Sequence, residues 1–488
     1  MNLKERISEG VKASFVAQVV YALGTGALMI ILARYLLTPD EYGLLYFALS
    51  ILGVAQLVAT LGLPKAGAKY LNEYLETDPG QIPHILRRTL TYTLAVTSVV
   101  CLALVTLSGP VATRLGHGEI VPFLVAGAAY VLFAGLDMSV RLAFQGINKL
   151  TWAAVVKSVS AVARLVFAVA FVLMGFDALG ALFGYIVGFA LGVAVGLWIL
   201  YSRFYRTYDT ATPDPSLSKK IVSYSLPLSV MNGAELLDKQ VDSILIGFLM
   251  NPTAVGFYVL GKQIVDFASI PAVSLGATVA PALGTEKAGN RMQQAARLYE
   301  QSFVHMLLLY VPAGVGLFLV AEPTVRYVFG SEYLGAVPVL QIFSVWLVIL
   351  GVAKVTTNPL DYLGLAGARA RIRGAMAVSN FVLNLILIPR IGVAGAALAT
   401  VVTTGIYVAT CVYFMHRELS LNLDYLVKRG VLVCAVGVAM GIGVSIAVPY
   451  VSGLLTLAAV IGVGVVIWAT TATASGALDV KRVMALLS

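Results

Sequence analysis

Ten ionisable residues interrupt the apolar stretches of this chain. The bases are Lys157, Arg164, Lys239, Lys262 and Lys354, and the acids are Asp137, Glu235, Asp238, Asp242 and Asp266. A charge held in the middle of a hydrocarbon layer costs about 2.5–3.5 kcal/mol on insertion scales, so each needs a partner, a watery cavity or a ligand. Glu235, Asp238, Lys239 and Asp242 stand at i, i+3, i+4 and i+7 and share one helical stripe, which Asn232 extends by a turn. Lys262 and Asp266 are four apart, and Lys157 and Arg164 are seven apart. Two kinds of chemistry fit this pattern. Glu235–Lys239 and Lys262–Asp266 have the spacing of pairs within a helix, and such pairs would hold helices in register. A hydrated cavity would instead accept a charged ligand, and clustering on consecutive helices favours that reading. In it the five bases suit a phosphate. The acids Glu235, Asp238, Asp242 and Asp266 suit a coupling cation such as H⁺ or Na⁺, or a structural role. Gln18, Gln56, Asn232, Gln263, Asn380 and Asn384 place neutral hydrogen-bonding groups in the same apolar runs, where they suit a sugar.

The chemistry expected is binding rather than catalysis. No His/Cys/Asp spacing suggests a metal site, and no phosphate-binding loop, nucleophile elbow or paired-carboxylate site is present. Catalytic residues, metal and cofactor are therefore all expected to be absent, and the chain is not expected to be an enzyme.

The elements carrying these residues follow from composition. Of 488 residues 59% are hydrophobic and 12% charged. Soluble domains have roughly 25% charged residues, about twice as many. Disorder is excluded by the abundance of apolar residues, and a disulfide scaffold by three scattered cysteines, Cys101, Cys411 and Cys434. Apolar runs long enough to cross a bilayer lie at 13–37, 42–63, 88–109, 119–140, 151–174, 179–201, 221–249, 254–280, 303–321, 336–357, 374–389, 393–415, 430–449 and 454–475. The expected fold is an all-α polytopic membrane protein with 14 transmembrane helices. Lys4, Arg6 and Lys12 precede the first run as in a signal peptide. That run is too long, and it lacks a small-residue cleavage site, so an uncleaved first helix is expected.

Charge placement agrees with fourteen spans and both termini cytoplasmic. With that topology 24 of the 33 bases fall in inside connections and four, Arg34, Arg114, Arg326 and Arg390, in outside ones. A missed span would scramble the alternation. The net charge of +9 is thereby explained by topology and by anionic lipid headgroups, and no nucleic-acid partner is expected.

The two halves share punctuation at a nearly constant offset. Arg34–Gly43 matches Gly247–Gly256, Pro64 matches Pro281, Phe144-Gln145-Gly146 matches Tyr362-Leu363-Gly364, and Gly180-Ala181 matches Gly395-Ala396. The period contains six helices, an even number, so the two copies are parallel. The expected organisation is an N-terminal six-helix bundle over 1–202, a cytoplasmic linker over 203–219, a second six-helix bundle over 220–416, and two additional helices over 417–488. Two bundles meeting at a seam suggest alternating access about a central site.

Three stretches carry a family resemblance. They are Leu32–Leu45, Phe144–Lys149 and Asn384–Leu398, reading LARYLLTPDEYGLL, FQGINK and NLILIPRIGVAGAAL. They resemble the O-antigen-type, lipid-linked sugar flippases of the multidrug/oligosaccharidyl-lipid/polysaccharide exporter superfamily. The resemblance implies a plasma-membrane flippase that moves a saccharide on a polyprenyl or dolichyl phosphate or diphosphate from the cytoplasmic to the outer leaflet. It also implies glycosyltransferases or a polymerase of the same pathway as partners, together with membrane lipids. A cation-coupled multidrug antiporter of the same superfamily and a non-transporting scaffold for glycan assembly are the alternatives.

Overall fold

The computed structural model describes the backbone of residues 3–208 and 211–478, and their side chains except at 3–15, 230–232 and 234–238. All regular structure among the described residues is helical. The chain divides into two compact units, 1–256 and 257–488.

The first unit holds α1 (Leu3–Ile31), α2 (Pro39–Thr60), α3 (Leu63–Thr77), α4 (Ile82–Leu115), α5 (Val121–Gly146), α6 (Leu150–Phe171), α7 (Asp177–Ile199) and α8 (Leu217–Leu249). It also holds the first turn of α9 (Pro252–Ala268). Entry into α2 shows how sequence sets a boundary. The Thr38 hydroxyl accepts from the Glu41 N–H, the Glu41 carboxylate accepts from the Thr38 N–H at 2.9 Å, and Pro39 occupies the first helical position. This reciprocal cap terminates a helix that the apolar run alone would leave open. The hub of the unit is α5, which packs on α2, α3, α4, α6 and α7.

The second unit continues α9 and holds α10 (Ile270–Ala288), α11 (Met292–Leu319), the short α12 (Ala321–Thr324), α13 (Val337–Tyr362), α14 (Ala366–Ile391), α15 (Val393–Leu419), α16 (Leu423–Ala447) and α17 (Leu454–Ala474). Its hub is α13, packed on α10, α11, α14 and α15. The last two helices attach through α16 on α11, and the Trp468 indole N–H donates to the Leu308 carbonyl at 3.0 Å.

Among the described residues, 11 helical stretches are long and apolar enough to cross a membrane, or 12 if one bent pair counts as a span. One stretch, Leu150–Thr207, contains both α6 and α7, which fold back on each other at Gly175, where φ is +88°. The bent pair is α9 and α10, meeting at 50°. The run expected at 254–280 is thus broken at Ser269, with Pro271 at the second position of the new helix, where its missing N–H costs nothing. The run expected at 374–389 is longer than its apolar core, because α14 starts at Ala366 and recruits Arg369, Arg371 and Arg373 into its first turns.

One helix was not expected. The segment after Pro64 reads as a polar connection, yet Leu63–Thr77 is helical. It is amphipathic, burying Leu63, Ala66, Gly67, Tyr70 and Leu71 against α4, α5 and α8 while Lys65, Lys69 and Glu73 face outward. Its apolar stripe is too narrow for a hydropathy window, and it becomes visible only at a period of 3.6.

Candidate functional site

The site is built where α1, α6 and α7 pack. Gly180, Gly184, Gly188, Gly192 and Gly196 recur every four residues on α7 and line one face of it. That face lies directly on α6. A Cβ on Gly184 would collide with the Ala168 backbone, one on Gly188 would sit 2.8–2.9 Å from Arg164 Cβ and Cα, and one on Gly192 would collide with Ser160. Small residues at helix contacts let backbones approach closely where lipid supplies no hydrophobic drive. Here they seat the root of a long cationic side chain flush against the neighbouring helix.

From that root Arg164 extends into a cage of tyrosines. Its guanidinium carbon lies 5.0 Å from the Tyr185 ring centre and 5.4 Å from that of Tyr21, and Nη2 donates to Thr25 Oγ1 at 2.8 Å. The Tyr185 hydroxyl lies 3.4 Å from that of Tyr46, and the Tyr130 ring closes the side between Tyr185 and Phe189. Arg164 is 8% exposed, and its Nε has no hydrogen-bond partner among the described residues. Two helical turns away on the same stripe, Lys157 donates to Gln18 Oε1 at 2.6 Å and stands 4.6 Å from the Tyr21 ring centre.

These contacts form a ladder. Gln18, Tyr21 and Thr25 lie on one stripe of α1, and Lys157 and Arg164 on one stripe of α6. Both hydrogen bonds join residues 139 apart, so the two helices run in the same direction. Cation–π contacts contribute about 0.5–2 kcal/mol each, which only partly offsets the cost of a buried cation. Among the described residues no carboxylate pairs with either Lys157 or Arg164. A guanidinium with an unused Nε–H and fixed planar geometry is suited to accept an oxyanion.

Asp137 has a different fate. It is buried, accepts from Arg141 Nε at 2.7 Å and from Ser160 Oγ at 2.7 Å, and so is neutralised within the α5–α6 contact.

The remaining candidate residues are distributed as follows. Lys239 is exposed and Asp242 buried on α8, and the side chains of Asn232, Glu235 and Asp238 lie outside the described residues. In the second unit Lys262 and Gln263 are half-buried and Asp266 exposed on α9, and Lys354 is half-buried on α13. Lys239, Asp242, Lys262, Gln263, Asp266 and Lys354 all have interacting partners. Lys262 Nζ stands 5.8 Å over the Tyr258 ring. Gln56 faces α5: with its amide turned so that each end meets a complementary group, the nitrogen donates to the Val131 carbonyl at 3.0 Å and the oxygen accepts from the Gly135 N–H at 2.9 Å. Asn384 donates to Asn380 at 2.9 Å, and Asn380 to Thr403 at 3.4 Å, all buried between α14 and α15. The structure therefore unites Gln18, Lys157 and Arg164, and separately Asn380 and Asn384.

The residues that sequence reasoning missed are Tyr21, Thr25, Tyr46, Tyr130 and Tyr185. For Tyr21 and Thr25 the signal was present, at three and seven residues beyond Gln18. The five-glycine stripe was also readable as a close-packing face aimed at α6.

Known proteins can now be set beside this geometry. The family model described as "Polysaccharide biosynthesis protein" matches residues 9–285, more than half of the chain. The chain belongs to this family. This agrees with the polysaccharide-linked family that its three stretches resemble. The "Probable low-salt glycan biosynthesis flippase Agl15" of Haloferax volcanii is 22% identical over 393 residues, covering 80% of this chain and 79% of that protein. Among solved structures, "Lipid II flippase MurJ, inward closed conformation" superposes with a TM-score of 0.74 at 13% identity, covering 95% of this chain and 98% of that one. An inward-facing multidrug resistance transporter of the superfamily gives 0.69 at 14% identity, covering 83% and 98%. This member of the polysaccharide biosynthesis protein family is a polytopic membrane protein that shares the fold of these two solved transporters.

Proposed function

We propose that the chain is a flippase that carries a saccharide on a polyprenyl phosphate or diphosphate from the cytoplasmic to the outer leaflet by alternating access. The observation that carries this reading is the Arg164 cage: a buried cation, held by tyrosine faces, with a hydrogen-bond donor left over and no carboxylate partner among the described residues. A phosphate oxygen supplies the missing acceptor and charge. Lys157 serves as a second contact two turns along the same stripe, and Gln18 beside it offers an amide to the first sugar. The lipid tail stays in the bilayer, so the cage holds only the polar head. In this reading the helices make fourteen crossings with both termini cytoplasmic, and the residues of 1–202 and 220–416 act as the two halves of a rocking transporter. The names of the Haloferax volcanii relative and of the lipid II flippase point the same way.

Deleting this protein in its host and resolving polyprenyl-linked sugars by leaflet tests the reading. Accumulation on the cytoplasmic side is the expected result. Unchanged lipids with altered cation or drug tolerance would transfer the assignment to an antiporter. Loss of surface glycan without leaflet accumulation would leave an assembly scaffold.

A further inference from the structure

Past Ile199 the backbone of α7 widens into a π-helical turn, Leu200–Phe204, followed by a tighter turn, Tyr205–Thr207. The Phe204 ring meets Phe144 of α5 edge-on at 6.1 Å. Together Trp152, Phe204, Tyr205 and Tyr208 form an aromatic shelf packed on buried Phe144, Ile147, Ile199 and Leu200. Three cations rest on aromatic rings at this turn. The Arg203 guanidinium carbon lies 4.8 Å from the Trp152 ring centre, and Lys149 Nζ lies 5.5 Å from that of Phe204. Arg206 stands 4.7 Å over Tyr201 and donates to its hydroxyl at 3.1 Å.

Some cations elsewhere in this protein meet acids, while Lys69 rests on the Tyr70 and Tyr224 rings and Arg429 on Tyr425. Arg141 pairs with Asp137, Lys220 with Asp214, Lys287 with Glu418, Arg291 with Glu286 and Arg369 with Asp361. Among the described residues, Lys149, Arg203 and Arg206 have no such partner. A guanidinium has five N–H donors, so one resting on a ring, even with one N–H given to a hydroxyl as in Arg206, has others that match a phosphate. The neighbouring Trp198 is 66% exposed and Tyr201 52% exposed. Such amphipathic rings settle at headgroup depth in a bilayer. Cationic edges, a rigid aromatic floor and interfacial rings thus coincide at one turn.

We infer that this turn is a headgroup site for an anionic phospholipid of the surrounding bilayer. Lys149, Arg203 and Arg206 take the phosphodiester, and Trp198 and Tyr201 lie beside the glycerol and upper acyl chains. The site is separate from the Arg164 cage, and it stands whichever cargo the protein carries.

Native mass spectrometry of the detergent-solubilised full chain tests this with dioleoylphosphatidylglycerol, dioleoylphosphatidylcholine and inorganic phosphate. Retention of the glycerol lipid over the choline lipid is expected. Each basic residue near a membrane surface contributes about five-fold in affinity, so Arg203→Gln and Arg206→Gln should each weaken retention about five-fold. Arg203→Lys should retain most of the binding. Lys149→Gln, on a separate element, provides an independent loss should the α7 variants unfold, and unfolding temperature reports which have done so. Equal retention of both lipids, or undiminished retention by folded glutamine variants, would overturn the site. Displacement of the glycerol lipid by inorganic phosphate would reassign it to a free anion, which also overturns it.

Discussion

Two helical hairpins occupy corresponding places in the two units and have opposite chemistry. The first is α6–α7, starting at Leu150 and Asp177, and the second is α14–α15, starting at Ala366 and Val393. Both starts differ by 216 residues (366 − 150 and 393 − 177). At that shift Arg164 corresponds to Asn380, Gly184 to Thr400 and Gly188 to Thr404. In the first hairpin glycines bring the backbones together, and a long cation leaves the contact for a tyrosine cage. In the second, buried amides and hydroxyls bond one another: Asn384 donates to Asn380, Asn380 to Thr403, and Thr400 meets Tyr258 at 3.2 Å. Hairpins at matching places along the chain can therefore hold a buried cation on aromatic rings in one case and a seam of amides and hydroxyls in the other. What differs is whether small residues clear a path for a side chain that cannot be neutralised locally.

The largest expected effect comes from closing that path. Gly184→Leu drives a side chain into the Ala168 backbone, and overpacking typically costs about 1–3 kcal/mol or more. Membrane abundance and unfolding temperature should both fall sharply. Thr400→Ala at the corresponding position removes a hydroxyl that meets Tyr258 and donates to the Ala396 carbonyl, about 0.5–1.5 kcal/mol per hydrogen bond, introduces no clash, and should be milder. Equal damage from the two would mean that the hairpins do not differ in packing.

Next in size is the cation itself. Hydrogen bonds to charged groups contribute about 1.5–3 kcal/mol, so Arg164→Gln should reduce transport about 10- to 100-fold at unchanged abundance. Arg164→Lys should fall between, because it keeps the charge and loses the planar fork. Asn380→Ala should leave transport within a few-fold of the parent. If Asn380→Ala is as harmful as Arg164→Gln in a leaflet assay, the functional asymmetry is gone.

A smaller effect is expected at Tyr21, whose ring serves both Lys157 and Arg164. Loss of cation–π contact at about 0.5–2 kcal/mol corresponds to about 2- to 30-fold weaker binding of a polyprenyl phosphate by Tyr21→Leu. Tyr21→Phe keeps the ring face and should restore most of it. A phenylalanine variant as weak as the leucine one would shift the role to the hydroxyl.

The smallest effect concerns the exits from the two hairpins. After α7 the linker docks on the α3–α4 turn: Gln81 donates to the Thr212 carbonyl at 2.8 Å, His84 bonds the Ala211 carbonyl at 2.8 Å, and Asp214 accepts from Tyr74 at 2.8 Å. After α15 the chain is held instead by Glu300, which accepts from the Asn422 N–H at 2.6 Å. The Ser216 hydroxyl and N–H, then Tyr74 and Lys220, hold the Asp214 carboxyl well below the usual carboxylate range. A depressed value stabilises the dock above the unfolded pKa of about 3.9, and that stability is lost only as pH falls through the folded value. Hydrogen exchange over 211–218, corrected for its intrinsic rate, should therefore match at pH 5 and pH 7. Asp214→Asn should speed it at both. A parent linker that loosens by pH 5 would break this account.

Much of this protein could be read from its residues. Apolar length located the membrane helices, because a bilayer demands about 20 such residues and tolerates few charges. Charges inside those runs picked out Lys157 and Arg164, since burial makes them costly without a purpose. Tertiary structure decided, among the described residues, which charge meets an opposite charge. Asp137 and Arg164 look alike in the sequence, yet among the described residues one meets Arg141 and Ser160 while the other meets rings and a hydroxyl. It also decided that Gln56 serves the α5 backbone, and that Leu63–Thr77 is a helix. The physical reason is range. Hydropathy and periodicity act within a helix and survive in a string of letters, whereas neutralisation depends on which helix lies alongside, and that is set by packing.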